Sequence, residues 1–150
     1  MAEVRTFESM ENKAYWLNEI KQSDWGAGQF LYQLLSEESL KKTCGEKTEV
    51  LMAVEGEELL AFCTYAEMDD VQPTNLTPWV GFVYTYPEHR GNRYAGLLLK
   101  RAEELAAEDH KEYVYISTNH VGLYEKYGYE FYEMQKDVEG EDTRVYRKHV

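Results

Sequence analysis

The segment Pro87-Glu88-His89-Arg90-Gly91-Asn92-Arg93-Tyr94-Ala95-Gly96 sets basic side chains and glycines directly before a helical pattern. Apolar residues at Ala95, Leu98, Leu99, Ala102, Leu105 and Ala106 follow the i, i+3, i+4, i+7 spacing of an amphipathic helix. The first N–H groups of a helix have no intrahelical partner, and the helix dipole is positive there. A basic, glycine-containing turn at that place can seat a phosphate. The charge map points the same way. The chain carries a formal net charge of -12, with 28 Asp plus Glu against 16 Lys plus Arg. Yet no acid falls between His89 and Ala102, while Arg90, Arg93, Lys100 and Arg101 do. A positive island in a negative chain suggests one anionic ligand held at one place. The plainer alternative is a solvated helix face.

Three further groups have side chains suited to proton transfer. Tyr124 lies in Gly122-Leu123-Tyr124-Glu125-Lys126-Tyr127-Gly128-Tyr129-Glu130. A phenol with an ordinary pKa near ~10 stays protonated at neutral pH and can serve as an acid. It can equally be one packed aromatic in a chain with 13 tyrosines. His120 follows a strand end, where a cleft would open, and reads as a general base, an acceptor ligand or a histidine capping the next helix. Glu67, Asp69 and Asp70 follow another strand and read as amine-binding acids, as a base, or as ordinary loop acids. The strand Trp79–Thr85 carries no carboxylate, so no base sits on it.

The elements that must position these groups follow from periodicity. A short strand near Val4 to Phe7 leads to Asn12, an N-cap for a helix using Ala14, Leu17 and Ile20. Trp25-Gly26-Ala27-Gly28 breaks it. A second helical region, with Ala27, Phe30, Leu31, Leu34 and Leu35 on one face, stops near Cys44-Gly45. Val50 to Val54 and Leu59 to Tyr65 form a hairpin around Glu55-Gly56-Glu57-Glu58. Asp69 to Pro78 is a polar loop, followed by the strand Trp79-Val80-Gly81-Phe82-Val83-Tyr84-Thr85, the basic turn and the long helix. Tyr113 to Ser117 is a strand, Val121 to Tyr127 a short helix ended by Gly128, and Tyr129 to Val138 with Arg144 to His149 a closing strand pair. A mixed sheet covered by helices on both faces buries this order economically.

Composition narrows the class. The 150 residues are expected to form one domain, residues 1–150, with a 43% hydrophobic fraction that fits a folded protein. No apolar run reaches the ~18 residues of a membrane span, and the N-terminus lacks a signal-peptide pattern, so a cytoplasmic protein is expected. Cys44 and Cys63 have no metal-ligand spacing, so no metal site is expected. The acidic balance disfavours nucleic acid as a partner. Neither G-x-x-x-x-G-K-[ST] nor G-x-G-x-x-G occurs, which argues against a nucleotide-binding α/β domain.

The chain resembles the GNAT family of acetyl-CoA-dependent N-acetyltransferases. Pro87 to Ala95 is similar to the family's pyrophosphate loop, and Gly122 to Glu130 to its "LYEK-x-GF-E" segment, with the element order agreeing as well. The resemblance is specific over Trp79 to Phe131 and topological elsewhere. It implies an α/β (α+β) fold with a mixed, mostly antiparallel central sheet of about six or seven strands flanked by about four helices. It also implies acetyl-CoA as acyl donor and a primary amine as acceptor. Val83, Tyr84 and Thr85 would offer backbone groups to the pantetheine arm, with Asn119 beside it. Arg90, Gly91, Asn92, Arg93, Tyr94, Ala95 and Gly96 would wrap the pyrophosphate. Tyr124 would protonate the leaving thiolate, while the base stays open among His120, Glu67, Asp69, Asp70 and water. The central strand and the strand ending near Ser117 should diverge to admit the cofactor's amide arm. Arg93 departs from the family pattern, which has a glycine there. A non-catalytic acyl-CoA-binding domain is the second reading, and a homodimer is compatible with either. The expected acceptor is a cationic small molecule or peptide, because the surface outside the positive island is left negative.

Overall fold

The computed structural model describes residues 1–150. Its strands are β1 (Glu3–Thr6), β2 (Glu49–Glu55), β3 (Glu58–Ala66), β4 (Trp79–Thr85), β5 (Tyr113–Thr118), β6 (Glu130–Lys136) and β7 (Asp142–His149). The helices are α1 (Lys13–Lys21), α2 (Gly26–Ser36), α3 (Leu40–Cys44) and α4 (Tyr94–Glu108), with short 3₁₀ turns at Phe7–Ser9, Pro87–His89 and Tyr124–Tyr127. The seven strands form one sheet in the order β1-β2-β3-β4-β5-β7-β6. Every neighbouring pair is antiparallel except β4–β5. No helix is long and apolar enough to cross a membrane.

Side-chain alternation along the central strands sorts the core into two layers. Val50, Met52 and Val54 of β2 pack with Phe62, Trp16, Ile20, Leu31 and Leu34 on the α1–α2 side. Leu51 and Ala53 pack with Ala61, Cys63, Val80, Leu98, Leu99 and Ala102 on the α4 side. Burying each large aliphatic contributes about 1.5–3 kcal/mol, so both faces of the central strands help fix their register. Asn12 caps α1 by accepting from the Tyr15 N–H at 3.3 Å, as its residue type suggests.

The expected helix boundaries move at three places. The long helical region after Trp25 is two helices, because Glu38 adopts a left-handed conformation (φ 54°) and ends the first. Gly26 and Gly28 lie inside α2, so the break falls at Gln22–Trp25. The short helix expected over 121–127 shrinks to the 3₁₀ turn Tyr124–Tyr127.

One irregularity positions everything that follows. β4 and β5 pair only at Trp79–Tyr115 and Val80–Ile116. Beyond that rung β4 bulges, with Phe82 at φ 52° and the β3–β4 register shifting between Phe62 and Thr64. β5 instead continues to Thr118 paired to β7. The sheet therefore opens as a V whose arms are Phe82–Thr85 and Ser117–Thr118. The divergence expected of these two strands is present.

Candidate active site

The V forms the floor of a cleft of about 1880 Å³ that runs between α4, the turn after β5 and the loops bounding β4. Val83, Tyr84, Thr85, Arg90, Gly91, Arg93, Tyr94, Ala95, Asn119, His120 and Tyr124 all line it. Asn92 and Gly96 do not: the Asn92 amide donates to the His89 carbonyl at 3.0 Å, and Gly96 lies against the Tyr127 ring.

The turn before α4 curls tightly. Gly91 and Arg93 both take positive φ, 87° and 60°. That curl leaves the N–H groups of Gly91, Asn92, Arg93, Tyr94 and Ala95 without a backbone acceptor, while Arg90 and Gly96 on either side bond to Pro87 and Arg93. Five consecutive free donors at the positive end of a 15-residue helix make an anion cradle. Arg93 holds the left-handed N-cap position at a cost of order 1 kcal/mol relative to glycine. Its guanidinium lies 4.9 Å from the centre of the Tyr127 ring. The side chain is thereby held between the cradle and the turn that carries Tyr124. Arg90 folds the other way, donating from Nε to the Thr85 carbonyl at 2.9 Å. It ties the cradle to the end of β4.

Tyr124 opens the 3₁₀ turn and is 6% exposed. Burial, then the neighbouring Cys63, Tyr127 and Asp69, push its phenol well above the ordinary value. Burial, then the Asp69 charge, push the Cys44 thiol, also on the cleft wall, up to about 11.

His120 is exposed at the cleft mouth, and its backbone N–H donates to Thr118 Oγ1 at 3.1 Å. Glu67 is turned away, with Oε1 accepting the Lys47 N–H at 3.0 Å, and it does not line the cleft. Asp69 and Asp70 do line it, joined by Asp137 and Glu139 from the β6–β7 turn. That turn is bound to the β3–β4 loop through Val138 N–H and the Asp70 carbonyl, 2.7 Å apart. Burial raises the pKa of Asp70, with Asp137 and Glu139 adding to it, and pushes Asp69 up to about 7.

Residue pattern did not mark the opposite wall. Asp24 and Trp25, in the turn between α1 and α2, meet Tyr84 of β4. The Tyr84 hydroxyl donates to Asp24 Oδ1, and the Trp25 and Tyr84 rings stack at 5.7 Å with 9° between their planes. Phe30 of α2 and Phe82 of the bulge approach at 6.1 Å. The signal was present in the unpaired Trp25 beside an acid, but nothing in the linear sequence placed it opposite β4. No group of three His, Cys, Asp or Glu side chains is arranged to hold a metal ion.

The comparisons with known proteins agree with this architecture. The sequence profile of the Acetyltransferase (GNAT) family matches residues 14–129. No curated protein sequence matches. A GNAT-family protein from Desulfovibrio desulfuricans superposes with a TM-score of 0.71 at 14% identity, covering 99% of both chains. An aminoglycoside 6'-N-acetyltransferase solved with coenzyme A gives 0.72 at 13%, covering 98% of this chain and 96% of that one. A GNAT acetyltransferase from Elizabethkingia anophelis, solved with acetyl-CoA bound, gives 0.66 at 14%, covering 99% and 98%. At such identities these structures speak for the fold, whereas the profile reaches from α1 across the anion cradle to the Tyr124 turn. The V-shaped opening in the sheet and the cradle at the start of α4 therefore belong to a member of the GNAT acetyltransferase family.

Proposed function

We propose that this protein transfers the acetyl group of acetyl-CoA to a primary amine on a cationic small molecule or peptide. The observation that carries the reading is the joining of the anion cradle and Tyr124 in one cleft through the open strands. The cradle's free N–H groups, with Arg93, suit a pyrophosphate. The β4 backbone at Val83, Tyr84 and Thr85, unpaired toward β5, suits the amide arm, which adds to the sheet like a short strand. Asn119 stands across the V from it. The Arg90 bond to the Thr85 carbonyl means that this carbonyl meets the arm already half-satisfied. The thioester then lies near Tyr124, which gives its proton to the departing sulfur. The incoming ammonium must lose a proton first, to His120 or to one of the cleft acids. Solved relatives holding coenzyme A and acetyl-CoA support the choice of donor.

The acceptor side carries Asp24, Asp69, Asp70, Asp137 and Glu139, against Arg90, Arg93 and Lys126 around the cradle. Field lines focused in such a cleft concentrate cations. Thiol release from acetyl-CoA with a panel of amines tests both claims at once. Polyamines and aminosugars should exceed amino dicarboxylates in kcat/KM, by a margin that shrinks in high salt. Better turnover of the anionic amines would remove the cationic acceptor, and no thiol release with any amine would favour a binding domain.

Arg93 gives a second test. Arg93→Gly relieves the left-handed strain but removes a charged donor, which is worth about 1–3 kcal/mol toward phosphate. Acetyl-CoA binding by calorimetry should weaken about 5–150-fold while the melting temperature changes little. Binding as tight as wild type would show that the side chain serves only the Tyr127 stack.

A further inference from the structure

β4 carries no carboxylate, yet the structure brings one to its surface. A Cβ built on Gly81 would overlap Asp69 Oδ1 and come within 2.8 Å of Asp69 Cγ. Gly81 has an ordinary backbone conformation, so its lack of a side chain serves space and not flexibility. The carboxyl of a residue in the β3–β4 loop thus occupies the volume a β4 side chain would fill, just past the last β4–β5 rung. Both residues line the cleft, and Tyr124 lies close enough for the Asp69 charge to act on its phenol.

We propose that Asp69 is the general base of the reaction, delivered over Gly81 to the point where the sheet opens. This inference rests on the acetyl-transfer reading. The carboxylate takes one proton from the bound ammonium, and the freed amine attacks the thioester carbonyl carbon. The C–N bond forms and the C–S bond breaks. Tyr124 protonates the sulfur, the proton shed by the new amide nitrogen restores the phenol, and Asp69 returns its own proton to solvent.

The surroundings suit that task. The titratable groups acting on or responding to Asp69 are Asp70 beside it, Cys44 of α3 and Tyr124 of the 3₁₀ turn. None is a cation. Burial and the Asp70 charge push the Asp69 carboxyl up to about 7, partly offset by the Asp70 N–H. An ammonium of ordinary pKa near ~10.4 gives up its proton about 10³-fold more readily to such a group than to an aspartate near ~3.9.

The test relocates the carboxylate. Asp69→Asn and Asp69→Ala should lower kcat/KM by about 10²–10⁴-fold while acetyl-CoA affinity holds, and should erase the rise in turnover as pH increases through about 7. The double variant Asp69→Ala with Gly81→Asp puts the carboxyl on β4 itself, and should recover at least about tenfold of the loss together with a basic limb. Thermal unfolding supplies a readout without substrate. The folded Asp69 keeps a proton that the unfolded chain has lost, so its contribution to stability falls as pH rises from about 4 to about 7. Asp69→Asn should remove that contribution and leave the one of Asp70, which is raised in the same direction. Active wild type with equally active Asp69→Ala, no rescue by the double variant, or loss of the basic limb in His120→Ala alone would each overturn the assignment while acetyl transfer stands. Acetyl-CoA binding without amine turnover in wild type would overturn both together.

Discussion

Tyr124→Phe should cut the turnover number by about 10²–10⁴-fold and leave acetyl-CoA affinity nearly unchanged. In the proposed reaction the phenol proton is used only as the thiolate leaves, so its loss would raise the barrier without weakening the ground-state complex. The substitution also suits its surroundings. Tyr124 is buried against Tyr129, with ring centroids 6.3 Å apart, and phenylalanine keeps that packing while removing one oxygen. The fold should therefore survive, and a lost rate would report chemistry. Because burial raises this phenol, its titration contributes no limb to the pH profile near neutrality. A Phe variant that retains turnover, with chemistry shown to limit the rate, would remove Tyr124 from the mechanism.

The parts of this site that were legible in the sequence share one property: neighbours in the chain carry them. The cradle joins a glycine, two arginines and a helix start within six residues, so its conformation follows from local rules. Arg93 stood out only through the resemblance, as a side chain at the family's glycine position, and the structure gives that position positive φ. The split of the helical region was not visible, because Glu38 enters the left-handed region without the glycine or asparagine that usually marks it. Phe82 misleads for the same reason. An aromatic in an apolar run reads as ordinary strand, yet it sits at φ 52° and bends β4 away from β5. The placing of Asp69 over Gly81 was hidden by distance along the chain. A loop acid and a strand glycine each look commonplace, and only the packing of the loop turns the glycine's empty volume into a seat for the carboxyl. Two-sided strands were easier to find, because Val50 to Val54 form a short unbroken apolar run that supplies both core layers.

The hinge of the V is the other place where one side chain should matter greatly. Trp79 is fully buried at the first of the two rungs that pair β4 with β5, its ring 5.5 Å from that of Tyr115 and its Nε1–H donating to the Leu76 carbonyl at 2.7 Å. Val71 and Val145 close the remaining sides. Trp79→Ala leaves a cavity in a small cluster at the base of the cleft, and such deletions cost about 3–5 kcal/mol. Against a typical total of about 5–15 kcal/mol, that is a large fraction of the protein's stability. Thermal unfolding should drop by roughly 6–20 °C in a chain of this size. Trp79→Phe keeps most of the volume and loses only the indole donor, so its shift should be clearly smaller. Acetyl-CoA at about 100 times its Kd should return about 2.7 kcal/mol to any variant in which the V still forms. A Trp79→Ala protein that melts within about 3 °C of wild type would show that the hinge is held by the β4–β5 backbone rung alone.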